Sequence, residues 1–245
     1  MPQPGPETSR VPFATDWVGQ VARPTTLSCQ VWFADLGAER PEHLALLDEV
    51  ERGRRVRYQR DVDRTRFTVA AALLRLVVAH ETGTGPGSVR IDRSCEQCGA
   101  PHGKPRVLDA GLHVSVSHSG DRVAVAMTRD APVGVDVEVI TERDVAGLAH
   151  SVLSDAEPVS RTEDFYTYWC RKESVVKATG DGLRVPLIGV VVSPASDPAR
   201  LVSYQGVSLA SSMCDLAAGS GYAAAVTVMA EGELAVGIHD AATVM

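Results

Sequence analysis

The sequence predicts an α+β fold, and three observations lead there. Residues 63–82 place Phe67, Ala70, Leu74, Val77 and Val78 near helical spacing, with Gly83 positioned to cap the helix C-terminus. Residues 113–117 and 122–127 alternate apolar and polar and are joined by Ser-Gly-Asp, a hairpin signal, and a third alternating run, residues 133–140, follows Pro132. A second helix is expected around residues 160–179, followed by strand-like runs at residues 185–192 and 222–229. Helix and strands thus occur in both parts of the chain.

Each remaining segment has its own reading. The Pro/Gly-rich residues 1–24 read as a flexible leader without chemistry of its own, ahead of an N-terminal half at 25–131 and a C-terminal half at 132–245. Residues 83–111 read as a loop. With 245 residues, 44% hydrophobic and 22% charged, the chain can bury a full core as one large or two smaller domains. A net charge of −7 argues against broad nucleic-acid binding. The first dozen residues lack a basic region followed by an apolar one, and no run of 18 apolar residues occurs, so a cytoplasmic protein without membrane contact is expected.

Charges in two places stand where a core should be. In residues 133–140, VGVDVEVI, alternation puts Val133, Val135, Val137 and Val139 on one strand face and Gly134, Asp136 and Glu138 on the other. The two carboxylates lie about 6–7 Å apart at their Cα atoms, close enough to grip one hard cation, with magnesium the natural guest. A solvated edge-strand face is the plain alternative; Gly134 weighs against it, because a missing side chain admits a ligand or another backbone. In residues 169–180, WCRKESVVKATG, about 100° per residue sets Glu173 at the edge of the stripe of Phe165, Trp169 and Val176. A carboxylate there needs a cation or a hydrogen-bond network. Taken alone, an i,i+4 pair with Lys177 on a surface helix would explain it.

Together, G-V-D-V-E and W-x-x-K-E-S-x-x-K-x-x-G resemble the paired signature of the 4′-phosphopantetheinyl transferases, in their long, single-chain Sfp-type branch. Further matches flank them: Gly103-Lys104-Pro105, Val116-Ser117-His118-Ser119, residues 63–67 (DRTRF) and residues 221–226 (GYAAAV), so the resemblance spans roughly residues 50–230. It implies two similar α/β halves related by a pseudo-twofold axis, with coenzyme A in the cleft between them. It implies transfer of the phosphopantetheine arm of coenzyme A to a serine of an apo acyl or peptidyl carrier protein, releasing adenosine 3′,5′-bisphosphate, as in holo-acyl-carrier-protein synthases. The branch leans toward polyketide and nonribosomal peptide synthesis, and the length suggests a monomer.

Carried over residue by residue, the resemblance makes Asp136, Glu138 and Glu173 the Mg²⁺ ligands, Glu173 or a water it orients the general base, and Lys177 the stabiliser of phosphate charge. Arg54, Arg66, Lys104, Pro105, Ser117, His118 and Asp136, with Lys177 and Lys172, are expected to contact coenzyme A; Lys172 has solvent as its alternative. Most other arginines of the basic segment, Arg52, Arg55, Arg57, Arg60 and Arg64, read as solvated. Trp169 reads as core packing that fixes the helix. Valine at 135 and 137 and cysteine at 170 are mild departures from the family pattern.

The five cysteines, Cys29, Cys95, Cys98, Cys170 and Cys214, do not suggest a secreted disulfide framework. Cys95-x-x-Cys98 with His102 offers zinc-type ligands, but without a fourth the loop reads as carrying reduced thiols. Two other classes remain: a non-catalytic coenzyme A or nucleotide binder, disfavoured by an intact acid–base set, and a zinc-knuckle nucleic-acid module, disfavoured by the incomplete ligand set and acidic charge.

Overall fold

The computed structural model describes residues 26–142 and 145–245, so the leader at 1–24 lies outside the described residues. The chain is α+β, and its layers follow from which side chains alternate along its strands. A six-stranded sheet has the order β11-β1-β5-β4-β3-β2, built from β1 (Thr26–Asp35), β2 (Ile91–Asp92), β3 (Arg106–Val107), β4 (His113–Ser119), β5 (Arg122–Thr128) and β11 (Glu233–Asp240). Helix α1 (His43–Leu46), helix α2 (Glu49–Arg55) and helix α3 (Asp61–Thr82) precede β2 in the chain. Helix α3 ends where expected, at Gly83, whose φ of 68° is the left-handed conformation that costs glycine nothing. Its apolar stripe, with Val69, Leu73, Leu74 and Val77, buries Trp32, Val114, Val123 and Val125 on one face of this sheet.

The other face is lined by Leu27, Cys29, Val31, Phe33, Ala124 and Ala126, and it packs against a second sheet. That sheet has the order β6-β10-β9, with β6 (Val133–Val139), β9 (Ser212–Asp215) and β10 (Tyr222–Val228). Val133, Val135 and Val137 of β6 enter this inter-sheet core, as their alternation requires. Helix α4 (Val145–Val152) leads to helix α5 (Thr162–Thr179), which covers the far side of β6 and β10 and ends at Gly180 with φ 81°. The layers therefore run helix, sheet, sheet, helix.

Where β4 crosses β6, serine side chains do the work of a strand. The hydroxyls of Ser115, Ser117 and Ser119 accept the backbone N–H groups of Val135, Val137 and Val139 at 3.0, 3.3 and 3.2 Å. These donors lie on the open edge of the second sheet, and buried N–H groups without partners would cost about 1–3 kcal/mol each. The alternation S-V-S-H-S thus stitches the two sheets together.

Three segments differ from expectation. Residues 185–192 are mostly not strand: Leu187–Gly189 forms a 3₁₀ turn closed by Gly189 N–H to the Pro186 carbonyl at 3.0 Å, and only β7 (Val190–Val192) pairs, with β8 (Leu201–Tyr204). Pro186 has no N–H to give a ladder, which delays the strand. Residues 83–111 contain β2 and β3 within the expected loop. Finally, β11 crosses the 131/132 boundary and runs parallel to β1, pairing Thr26 with Glu233 through Phe33 with Asp240.

Candidate active site

Gly134 is the reason the second helix can reach the acidic strand face. A Cβ at this position would lie 1.9 Å from the Ser174 carbonyl oxygen and 2.4 Å from the Ala178 backbone nitrogen, so α5 rests directly on the β6 backbone. Glu173 and Lys177, one turn apart on α5, are thereby set over Asp136 and Glu138. The solvated edge-strand alternative is excluded: Asp136 is only 2% exposed.

Ser117, His118, Asp136, Glu138, Glu173 and Lys177 line one recess of about 290 Å³, together with Val116 and Trp169. Asp136 sits at its floor. Its Oδ1 accepts hydrogen bonds from Ser117 Oγ at 2.7 Å and Lys177 Nζ at 2.6 Å. Its Oδ2 is buried and has no hydrogen-bond partner among the described residues. Lys177 also donates to Ser117 Oγ at 2.7 Å, so its ammonium turns to the strand and does not form the surface pair with Glu173 that the helix alone would favour. Glu138 accepts from Ser119 Oγ at 2.5 Å.

Burial, and then the negative charge of Asp136, push the Glu138 carboxyl up to about 7, against the pull of Ser119 and Lys177. Burial raises Glu173 as well, with Asp136 adding to it and Lys177 opposing. Three crowded carboxylates, two of them held toward neutrality and one with an orphaned oxygen, would suit a bound cation. An all-oxygen donor set suits a hard divalent ion such as Mg²⁺. Among the described residues their ligand atoms are not gathered within 4.8 Å of one another, since Lys177 and Ser119 draw Asp136 and Glu138 aside.

A second recess, about 550 Å³, lies at the C-terminal end of α5 and is lined by Lys104, His102, Arg106, Thr179, Gly180 and Arg184 among others. Lys104 Nζ donates to the Ala178 carbonyl at 2.7 Å, and burial pushes its ammonium down to about 8. Pro105 is half-buried beside it and lines neither recess. Glycine at 103 is required by a close approach, because a Cβ there would meet the Ser94 carbonyl at 2.8 Å.

The remaining sequence-named residues lie elsewhere. Lys172 is fully buried and points away, pairing with Glu157 at 2.6 Å and donating to the Val152 and Leu187 carbonyls at 2.8 and 3.1 Å. One residue before Glu173 is about 100° around the helix, which turns Lys172 toward α4 and away from the recess, so neither of its expected positions holds. Arg66 donates to the Gly120 carbonyl at 2.9 and 2.7 Å and to Asp63 at 2.5 Å, fastening α3 to the β4–β5 turn. The Arg54 guanidinium lies 5.4 Å over the Phe67 ring, and its buried Nη1 has no hydrogen-bond partner among the described residues. Neither arginine lines either recess. Much of the basic segment is internally paired, Arg60 and Arg64 with Asp63 and Asp61, and Arg55 with Thr68. Trp169 stacks obliquely on Phe165 with ring centres 5.8 Å apart, and its exposed part walls the carboxylate recess. Trp169 and Ser119 were missing from the sequence-derived set, although the S-V-S-H-S alternation marks Ser119.

The model of the 4′-phosphopantetheinyl transferase superfamily matches residues 132–227, which contain β6, α5 and β10 and with them every carboxylate of the recess. Over this segment the chain is similar to that superfamily. A 4′-phosphopantetheinyl transferase of Nostoc sp., HetI, is 28% identical over 208 residues, covering 79% of this chain and 86% of the relative. A putative 4′-phosphopantetheinyl transferase of Synechocystis sp. is 29% identical over 155 residues, and the 4′-phosphopantetheinyl transferase Sfp of Bacillus subtilis is 29% identical over 145 residues. Each of these two matches spans 61% of the relative's own length. The superfamily match leaves Lys104, Ser117 and His118 outside its bounds, so their placement rests on the geometry alone.

Proposed function

We propose that this chain transfers the 4′-phosphopantetheine group of coenzyme A to a serine hydroxyl of an apo acyl or peptidyl carrier protein, with Mg²⁺ held by Asp136, Glu138 and Glu173. The observation that carries it is the buried Asp136 Oδ2, without a partner among the described residues, at the floor of a recess that also holds two carboxyls and a lysine. The reaction is that of a holo-acyl-carrier-protein synthase. Its two α+β parts, one built around α3 and one around α5, are related by a pseudo-twofold axis, with the recess where β4 of one meets β6 of the other. The protein acts as a cytoplasmic monomer serving polyketide or nonribosomal peptide synthesis. Among the described residues no helix is long and apolar enough to cross a membrane.

Chemically, the carrier serine oxygen forms a bond to the β-phosphorus as the bond from that phosphorus to the bridging oxygen breaks, and adenosine 3′,5′-bisphosphate leaves. Bound Mg²⁺ would supply charge neutralisation on the diphosphate. Glu173 takes the serine proton, and the apolar surroundings that raise its basicity also suit it to hold that proton. Lys177 directs its ammonium at the phosphate oxygens, where charge grows during phosphoryl transfer. Ser117 holds both Lys177 and Asp136 in place, which leaves its hydroxyl engaged inside the protein. Lys104 anchors a phosphate from the adjoining recess, and His118, exposed at the rim, adds a donor for coenzyme A.

The test is the intact mass of an apo carrier protein incubated with this protein and coenzyme A, with Mg²⁺ or with chelator. A phosphopantetheine-sized gain that requires Mg²⁺ and the carrier serine is expected. No gain across several carrier types, alongside measurable coenzyme A binding, would overturn the transferase reading. In the same assay Glu173→Gln is expected to slow transfer about a hundredfold or more, the usual loss for a general base. A fully active Glu173→Gln would remove it from that role. Lys104→Ala is expected to raise the dissociation constant for coenzyme A by about ten- to a hundredfold, as for a lost hydrogen bond to a charged group, with a smaller change in kcat. Unchanged affinity by calorimetry would take Lys104 out of the phosphate site.

A further inference from the structure

We infer that Cys95, Cys98 and His102 form a zinc site that clips the loop between β2 and β3. Among the described residues, these three are the only group of His, Cys, Asp or Glu side chains whose ligand atoms all lie within 4.8 Å of one another. Cys98 Sγ is 3.1 Å from His102 Nε2. Ligands of a tetrahedral zinc, bonded at 2.3 Å through sulfur and 2.0–2.1 Å through nitrogen, stand about 3.5–3.8 Å apart. The gathered atoms need only small adjustments to reach that spacing.

The backbone around them draws the three side chains together. Gly99 makes the turn possible with φ 70°, and its N–H closes on the Cys95 carbonyl at 2.8 Å. Cys95 N–H and His102 N–H both donate to the Ala100 carbonyl, at 2.9 and 2.8 Å, which folds the histidine back over the cysteines. The neck of the loop is fixed separately, by Arg106 to Asp92 at 2.6 Å and Gly103 N–H to the Arg93 carbonyl at 2.7 Å.

Cys98 and His102 are exposed, so core packing does not explain why three such side chains converge. Two thiolates and an imidazole select zinc over the hard cation suited to the carboxylate recess, and the two metals would not compete. The fourth position faces solvent and takes water, as open zinc sites do. The absence of a second Cys-x-x-Cys, which argued against zinc in the sequence, is therefore no obstacle. Each thiol releases its proton as its bond to the metal forms.

A clip here would order the segment that carries Lys104, two residues beyond His102, against the Ala178 carbonyl at the end of α5. This consequence for coenzyme A rests on the function proposed above; the zinc site itself does not.

The full-length protein, purified under reducing conditions and dialysed with zinc, should retain about one zinc per chain by elemental analysis. Cobalt substitution should give sulfur-to-metal charge-transfer absorption. Cys95→Ser and Cys98→Ser should each lose both signals with an unchanged far-ultraviolet circular dichroism spectrum, whereas Cys214→Ser should keep them. Zinc should also slow maleimide labelling of Cys95 and Cys98 in the unmodified protein and chelator should restore it, a readout that needs no variant. Retained zinc well below one per chain, equal labelling with and without zinc, or a Cys95–Cys98 disulfide persisting under reductant would each overturn the site.

Discussion

Replacing Gly134 by alanine is expected to destabilise the protein by roughly 3 kcal/mol or more, at or beyond the upper end of what overpacking normally costs. The added carbon would meet two backbone atoms of α5, the Ser174 oxygen at 1.9 Å and the Ala178 nitrogen at 2.4 Å, and neither can rotate away as a side chain could. Relief requires lifting the helix from the sheet. That would pull apart the buried Ser174–Thr227 hydroxyl pair, now at 2.7 Å, and open the packing of a helix that shares its longest interface with β6 and β10. A shift of an ångström would also carry Glu173 and Lys177 away from Asp136, so any folded Gly134→Ala protein should show a weakened active site as well. Urea unfolding measures the first effect, as a lowered midpoint at similar slope. A midpoint equal to that of the unmodified protein would mean that α5 does not bear on the strand as the structure has it.

The same residue shows what could be read in advance. From the chain alone, Gly134 suggested a close approach, and alternation put Asp136 and Glu138 on its face; both hold, because a strand's period of two is a local property. Helix α3 was legible for the same reason, its apolar stripe and terminal glycine being written in consecutive residues. What escaped depends on distant partners. Strand β11 pairs with β1 across some two hundred residues, and nothing within either run names the other. The Pro186 break in residues 185–192 was legible in principle, and the valines outweighed it. Lys172 sits beside Glu173 in the motif, yet one helical step turns it to Glu157, a partner only the fold supplies. Reduced thiols were expected at Cys95 and Cys98; the backbone turn that gathers them with His102 depends on geometry that spacing does not record.

Asp136→Asn is expected to abolish transfer to within roughly one part in 10⁴, about 5–6 kcal/mol of transition-state stabilisation, while leaving the fold intact. Asp136 combines two roles. Its Oδ1 positions the Lys177 ammonium and the Ser117 hydroxyl, and its Oδ2 is the buried oxygen that none of the described residues satisfies. Loss of a metal ligand removes several kcal/mol of charge stabilisation, and a misdirected Lys177 removes about 3 more, as for a single lost donor to developing charge. Stability should move the other way or stay level. A buried carboxylate with an orphaned oxygen is costly, and asparagine keeps the shape without the charge. Lys177, with its side chain 29% exposed, can turn to water when its partner is neutral. Glu138 should then titrate lower, since the neighbouring negative charge that helps raise it is gone. A protein that unfolds at an equal or higher temperature yet adds no phosphopantetheine to carrier would show that Asp136 is kept for chemistry at the expense of stability. Asp136→Asn retaining more than about a tenth of the rate, a loss under 1.4 kcal/mol, would remove Asp136 from the metal site and with it the observation on which the catalytic reading stands.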